Sequence, residues 1–280
     1  MPNTLPPRPT PVIRIIARRA IRACGAMLLS LSVMTVGCAS NKTAKNELAA
    51  GYQSLDQHKF DQAIQQADAF LAKNPTGAGS AEALYLRGRA FEQKQAANPH
   101  ESKTNLQAAR SSYVEALNRR PNTQLETHIR TSLANVAYFQ DDYATALAQF
   151  NAALPRLDNP ETRAWTMYRT GLCQQRLGQF DLADQTFAAV QKEHPGTLPA
   201  QRAKEHAGAR AFFVQLVTFK TAASADRETA ALRREGFEPT RVATAQGFQQ
   251  LRVGPVNSYA QAMSLKTRFG DKYPDAIIVP

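Results

Sequence analysis

The chain has few of the residues that build disulfide scaffolds or metal sites. It contains three cysteines in 280 residues, too few for a disulfide framework. Its five histidines are scattered over the whole length and lack the spacing of a metal site. These scarcities exclude a disulfide-rich fold and a zinc module.

The sequence also lacks a catalytic motif, and the residues that could suggest chemistry have structural interpretations. Asp141 and Asp142 precede a predicted helix, where aspartate commonly caps the first turn. Cys173 falls inside a predicted helix and is typical of a small buried residue. Trp165, the only tryptophan, lies at the start of a repeat helix and is expected in the core. We therefore expect no enzyme, no cofactor and no bound metal.

No acidic residue occurs in residues 1–37, which contain five arginines. The uncharged run Ala23–Gly37 then extends for fifteen residues. A helix needs about 20 apolar residues to cross a bilayer, so this run is too short for a membrane span. A basic segment followed by a short apolar run predicts an export signal.

The end of this segment, Thr35-Val36-Gly37-Cys38, resembles the lipobox of bacterial lipoproteins. The resemblance implies that residues 1–37 are removed and that Cys38 becomes the acylated N-terminus. Thr35 departs from the family, which usually has leucine or another aliphatic residue there. An ordinary signal peptide with a chance cysteine, or an uncleaved anchor, remains the alternative. Ala39, in place of aspartate, implies release to the periplasmic face of the outer membrane.

The net charge is less informative once the signal is set aside. Lys and Arg number 34 and Asp and Glu 23, which gives +11. Removing the five signal arginines leaves 29 − 23 = +6 for residues 38–280. This mild basic balance does not argue for nucleic acid as a partner. Residues 38–45 are interpreted as a polar linker.

Internal repeats occur between residues 44 and 196. A small residue recurs at spacings of 46, 37 and 37, at Ala63, Ala109, Ala146 and Ala183. In three units a proline follows twelve residues later, at Pro75, Pro121 and Pro195. Apolar residues at three and four spacing give each helix one apolar face, which stacked hairpins can bury together.

The pattern resembles the tetratricopeptide repeat (TPR), whose helix pairs cross closely at small residues. The small residues of the first helices are Gly51, Gly88, Ala134 and Gly171. We expect residues 46–211 to form a helical solenoid of about four TPR-like repeats followed by a connecting helix. The second unit contains nine extra residues, and the polar stretch Gln95–Thr104 predicts a long loop there. Such repeats imply a protein partner in their groove.

The pattern changes near residue 212. Four segments rich in β-branched and aromatic residues are predicted strands: Phe212–Phe219, Phe237–Ala245, Phe248–Val256 and Ala276–Val279. Ser224–Glu235 and Ser258–Tyr273 are predicted helices, the first closed by Gly236 and the second capped by Ser258. The order strand, helix, strand, strand, helix, strand predicts a ferredoxin-like layer over residues 212–280.

Phe213–Phe219 and Leu251–Val256 resemble the two signature strands of the SPOR domain. That family binds septal peptidoglycan and prefers glycan strands whose stem peptides have been removed by amidases. Carried over by position, its glycan-binding residues correspond to Gln215, Thr218, Phe248 and Gln250. Some members have tryptophan at Phe248 and arginine at Gln250. Phe248 could instead belong to the core, and Gln215 could bind a neighbouring loop.

The whole pattern predicts an all-α TPR-like solenoid followed by a small βαββαβ SPOR domain. The function expected is that of a non-catalytic, peptidoglycan-binding outer-membrane lipoprotein. Its partners would be glycan strands, a protein in the TPR groove, and the membrane through a lipid anchor. In an alternative hypothesis the repeats carry the main function, and the protein is a TPR scaffold lipoprotein of outer-membrane protein assembly or envelope organisation.

Overall fold

The computed structural model describes residues 47–77 and 79–280. The predicted signal, Cys38 and the polar linker lie outside the described residues. The chain divides into two compact units, Met1–Ile129 and Arg130–Pro280. Helix α5 (Thr123–Phe139) spans the division between them.

The first unit is built from helical hairpins. Its helices are α1 (residues 47–56), α2 (Phe60–Lys73), α3 (Ser80–Gln93), α4 (Pro99–Asn118) and the beginning of α5. Ala63 of α2 and Ala109 of α4, two of the aligned small residues, are fully buried. Burial at these positions supports the repeat alignment.

The small residues of the first helices allow close approach of larger side chains. A Cβ on Gly88 of α3 would lie 2.5 Å from the Tyr113 ring of α4. A Cβ on Gly51 of α1 would lie 2.5 Å from Leu86 of α3. Each small residue therefore accommodates a bulky neighbour.

The long loop predicted at Gln95–Thr104 in the second repeat is not observed. The connection covers only residues 94–98, and α4 begins at Pro99 and continues for 20 residues. Asn98 accepts a hydrogen bond from the Glu101 amide at 2.9 Å, while the Glu101 carboxylate accepts one from the Ala97 amide at 2.8 Å. Asparagine followed by proline and by glutamate at the third helical position is a helix-start signal, so the nine extra residues mainly lengthen the helix.

The second unit begins with two more hairpins. Helix α5 is followed by α6 (Tyr143–Ala153), a short 3₁₀ turn (Leu154–Arg156), α7 (Pro160–Arg176), α8 (Phe180–Glu193) and the connecting helix α9 (Leu198–His206). A Cβ on Gly171 of α7 would lie 2.5 Å from the Phe187 ring, the same contact as in the second repeat. Asp142 caps α6 by accepting from the Thr145 amide at 3.2 Å, as its position predicts.

The C-terminal elements of this unit occur in the predicted order. They are β1 (Phe212–Phe219), α10 (Ala222–Arg234), β2 (Pro239–Ala243), β3 (Gln249–Val256), α11 (Tyr259–Phe269) and β4 (Ile277–Val279). The antiparallel sheet has the order β2-β3-β1-β4, which is the ferredoxin-like arrangement. The fold class predicted from the sequence is confirmed.

Several boundaries differ from the prediction. Helix α11 ends at Phe269 and not at Tyr273, since glycine at position 270 disfavours continuation of the helix and its amide donates to the Thr267 carbonyl in a tighter turn. Helix α10 begins earlier because Thr221 caps it by accepting from the Ser224 amide. Gly236 closes α10 with φ +85°, as expected.

Within the second unit, aromatic rings join the sheet to the last repeats. Phe212, fully buried at the start of β1, has its ring centroid 5.8 Å from those of Phe180 and Tyr259. The Arg176 guanidinium of α7 lies 3.9 Å from the Tyr259 ring centroid. Tyr143 of α6 packs edge-on against the same ring at 5.3 Å. We call these five residues the aromatic junction.

Ion pairs hold the segment that leads into β1. Arg210 contacts the Asp184 carboxylate at 2.7 Å and that of Asp181 at 3.5 Å. The Gly208 amide donates to Asp184 at 2.8 Å. This hydrogen bond and the Arg210 guanidinium lower the pKa of Asp184 below its ordinary value. The connection is therefore bound to α8 along its length.

Gly88→Ala should destabilise the first unit, because the added methyl would overlap the buried Tyr113 ring. Overpacking of this kind costs about 1–3 kcal/mol in free energy of unfolding. Urea denaturation followed by circular dichroism measures the loss. Gly77→Ala is the matched control, since its Cβ would meet only Asn74 at 3.9 Å. Equal stability of the two variants would contradict the close helix crossing.

Tyr259→Ala should loosen the aromatic junction and lower the free energy of unfolding by about 2–4 kcal/mol, somewhat less than for a fully buried ring because Tyr259 is only half-buried. Tyr259→Phe keeps the ring and should lie near the wild type. Denaturation of the full chain, with limited proteolysis between α9 and β1, reports both changes. An unaltered midpoint and cleavage pattern for Tyr259→Ala would show that the junction does not hold the sheet.

Candidate functional site

The sheet of the second unit has one covered face and one open face. Val214, Leu216, Leu251 and Val253 are buried in the core with residues of α10 and α11. Residues that pair directly across antiparallel strands lie on the same face of a sheet. The pairing register therefore identifies the side chains of the opposite face, which we call the open face.

A bulge in β1 brings Gln215 and Thr218 onto the open face together. Residues three apart in a regular strand point to opposite faces. Here the register shifts between Gln215 and Val217, and both Leu216 and Val217 pack with the core. The extra residue of the bulge therefore places the Thr218 side chain on the same face of the sheet as that of Gln215. Two predicted site residues thus meet on one surface.

Strand β3 completes the polar centre of the open face. Gln215 pairs with Arg252, and Thr218 pairs with Gln250. On the other side of β3, Thr240 of β2 pairs with Arg252. The centre of the open face is therefore formed by amide, hydroxyl and guanidinium groups.

Phe248 lies immediately before β3, in alternation with Gln250 and Arg252. The residue is 38% exposed, so it does not belong to the core. The adjoining turn is closed by the Gly247 amide, which donates to the Thr244 carbonyl at 2.9 Å, with φ +80° at Gly247. The exposed Phe248 ring therefore lies next to the polar centre of the open face.

Gln215 has no side-chain hydrogen bond to any described residue, and the loop contact considered from the sequence is not observed. Among the described residues the same holds for the hydroxyl of Thr218. Both groups retain their full capacity to donate and accept hydrogen bonds. The structure brings Gln215, Thr218, Gln250 and Phe248 to one side of the sheet, and their role in binding stays a prediction.

Arg252 lies on the open face but was not among the site residues predicted from the sequence. Its Nη2 donates to Gln250 Oε1 at 2.8 Å, whereas its Nε is buried without a hydrogen-bond partner among the described residues. Burial lowers the pKa of the Arg252 guanidinium below its ordinary value, although the group stays charged. The available signal was the alternation of Gln250 and Arg252 along one strand.

Apolar residues border the polar centre. Phe213 pairs with Val279, and Ile277 pairs with Gln215 on the side of β4. Gly254 has φ +141°, and a Cβ there would lie 2.9 Å from the Phe212 carbonyl oxygen. Glycine at this position therefore allows β3 to approach the β1 backbone closely.

The described residues offer little for catalysis elsewhere. They contain no group of three or more His, Cys, Asp and Glu side chains placed to hold a metal ion. Burial raises the pKa of the Cys173 thiol to about 12, which leaves it unreactive at neutral pH. Trp165 is buried in the core of the fourth repeat. Within residues 47–77 and 79–280, no helix has the length and apolar character that a bilayer span requires.

Comparison with family models identifies both parts of the chain. A model described as the SPOR domain matches residues 208–280, and one described as the tetratricopeptide repeat matches residues 165–197. The chain thus contains a SPOR domain, a module known to bind peptidoglycan, and TPR repeats, which mediate protein interactions. Both are non-catalytic binding modules. No curated protein matches the sequence.

Solved TPR structures are similar to the chain. YrrB, a TPR protein with an unusual peptide-binding site, is 18% identical with a TM-score of 0.46, covering 58% of this chain and 76% of its own. TTC0263, a thermophilic TPR protein of Thermus thermophilus, is 17% identical with a TM-score of 0.44, covering 58% and 80%. MamA is 16% identical with a TM-score of 0.45, covering 86% and 98%.

Proposed function

We propose that this protein is a non-catalytic lipoprotein, anchored through Cys38 at the periplasmic face of the outer membrane. Its SPOR domain binds peptidoglycan glycan strands that lack stem peptides. Its repeats serve as a scaffold for a protein partner in cell division or envelope maintenance. The observation that carries the proposal is the open face, where Gln215, Thr218, Gln250 and the exposed Phe248 lie together.

The chemistry of this face suits a sugar polymer. Amide and hydroxyl groups donate to and accept from sugar hydroxyls and N-acetyl groups, and the Phe248 ring offers an apolar surface for the face of a pyranose. Each contact is weak in water because the free groups are already solvated. A lipid anchor and a repeating polymer raise the effective concentration and support useful occupancy.

Anchoring requires more than one acyl chain, since each buried CH₂ contributes only about 0.8 kcal/mol. The acylated cysteine implied by the lipobox resemblance meets that requirement with a diacylglycerol and an amide-linked chain. An anchored protein with a wall-binding terminus connects the outer membrane to the cell wall. In that position the repeats present their partner close to sites where amidases have acted.

The glycan site is tested with the double variant Gln215→Ala and Phe248→Ala. Purified protein should sediment with amidase-treated sacculi, and the variant should lose at least about tenfold in affinity because a hydrogen-bonding amide and a stacking ring are removed together. Gln201→Ala with Leu182→Ala, an exposed glutamine and an exposed leucine on α9 and α8, is the matched control. Unchanged sedimentation of the open-face variant would refute the site.

The anchor is tested in the native host. Wild-type protein should fractionate with membranes and incorporate labelled fatty acid, whereas Cys38→Ala should lose the label and leave the membrane fraction. Cys24→Ala and Cys173→Ala serve as controls and should keep the label. Absence of label from the wild type, or membrane association of Cys38→Ala equal to that of the wild type, would reject the lipoprotein assignment.

A further inference from the structure

Arg252 stands out on the open face by its charge. The register places nine side chains of the described strands on this face, at positions 213, 215, 218, 240, 242, 250, 252, 277 and 279. Arg252 is the one charged residue in this set, and no carboxylate of the described residues pairs with it. It lies in the middle of the face, between Gln215 of β1 and Thr240 of β2.

The Arg252 guanidinium is only partly satisfied. Of its five N–H groups, one on Nη2 donates to Gln250 Oε1, and Nε is buried without an acceptor among the described residues. A half-buried cation with an unpaired donor is costly in the free protein, and a partner carboxylate supplies both the charge and the acceptors that it lacks. The site is therefore complementary to a ligand that carries a carboxylate.

Peptidoglycan gains such a group when its stem peptide is removed. In the intact strand the lactyl carboxyl of each muramic acid is held in a neutral amide. An amidase hydrolyses the C–N bond of that amide: the glycan keeps a carboxylate of charge −1, and the stem peptide leaves with a free amino group. Removal of the stem peptide therefore creates a negative charge at the lactyl position. The proposed function requires the protein to recognise strands from which the stem peptide has been removed.

We infer that Arg252 binds the lactyl carboxylate of denuded glycan and makes the open face selective for strands without stem peptides. The inference rests on the proposed function. Gln250 acts with it, because its amide oxygen holds the guanidinium in the free protein. The incoming carboxylate displaces that oxygen, and the Gln250 amide turns to a sugar hydroxyl.

The experiment compares two forms of one glycan with the full chain. Denuded glycan strands are used either as prepared or after carbodiimide coupling of their lactyl carboxylates to methylamine, which restores a neutral amide without a peptide. Wild-type protein should bind the amidated strands about tenfold or more weakly, the range for losing a charge-assisted hydrogen bond. Arg252→Gln should bind both forms equally, and its binding should depend less on salt.

A second variant guards against a folding defect. Arg252→Gln combined with Gln250→Arg moves the guanidinium by one position on the same face and should recover part of the preference for the free carboxylate. Circular dichroism and thermal unfolding check that each variant is folded. A preference that survives in Arg252→Gln, or equal binding of both glycans by the wild type, would overturn the inference alone. Failure of the wild type to bind either glycan would instead overturn the proposed function, and the inference with it.

Discussion

Strand β1 is the element on which the rest of the second unit depends. Its first residue, Phe212, is buried in the aromatic junction and fixes where the sheet meets the last repeats. Its middle pairs with β3 on one side and β4 on the other. Its bulge then turns Thr218 to the face of Gln215. One strand therefore joins the repeats, organises the sheet and shapes the site, so a shift of one residue in its register would disturb all three.

Much of this fold could be predicted from local patterns. Apolar periodicity and recurring small residues revealed the repeats because each helix crossing imposes the same steric requirement on its own hairpin, as Gly88 and Gly171 show. The prediction failed where two local signals competed. The polar stretch after Gln95 has the composition of a loop, but the capping hydrogen bonds of Asn98 and Glu101 start a helix within it.

The candidate site was harder to predict, because its residues meet only through pairing. The family resemblance pointed to Gln215, Thr218, Phe248 and Gln250, but the spacing of three in β1 makes sense only with the bulge. Arg252 was missed because its importance comes from its cross-strand neighbours and from its unpaired Nε. Neither property has a signature in linear sequence. The aromatic junction is equally non-local, since its members come from elements that are distant along the chain.

The aromatic junction has a mechanical consequence. A wall-binding module on a loose tether reorients freely, so that tension in its ligand is absorbed by the tether. Here Phe212, Tyr259 and Arg176 clamp the sheet to α7, and Arg210 binds the connecting segment to α8. A glycan strand seated on the open face would hold α7 and α8 at a set angle to its own axis. Strain in the wall would then reach these two helices as torque, so that the last repeat would transmit force from the glycan to the rest of the solenoid.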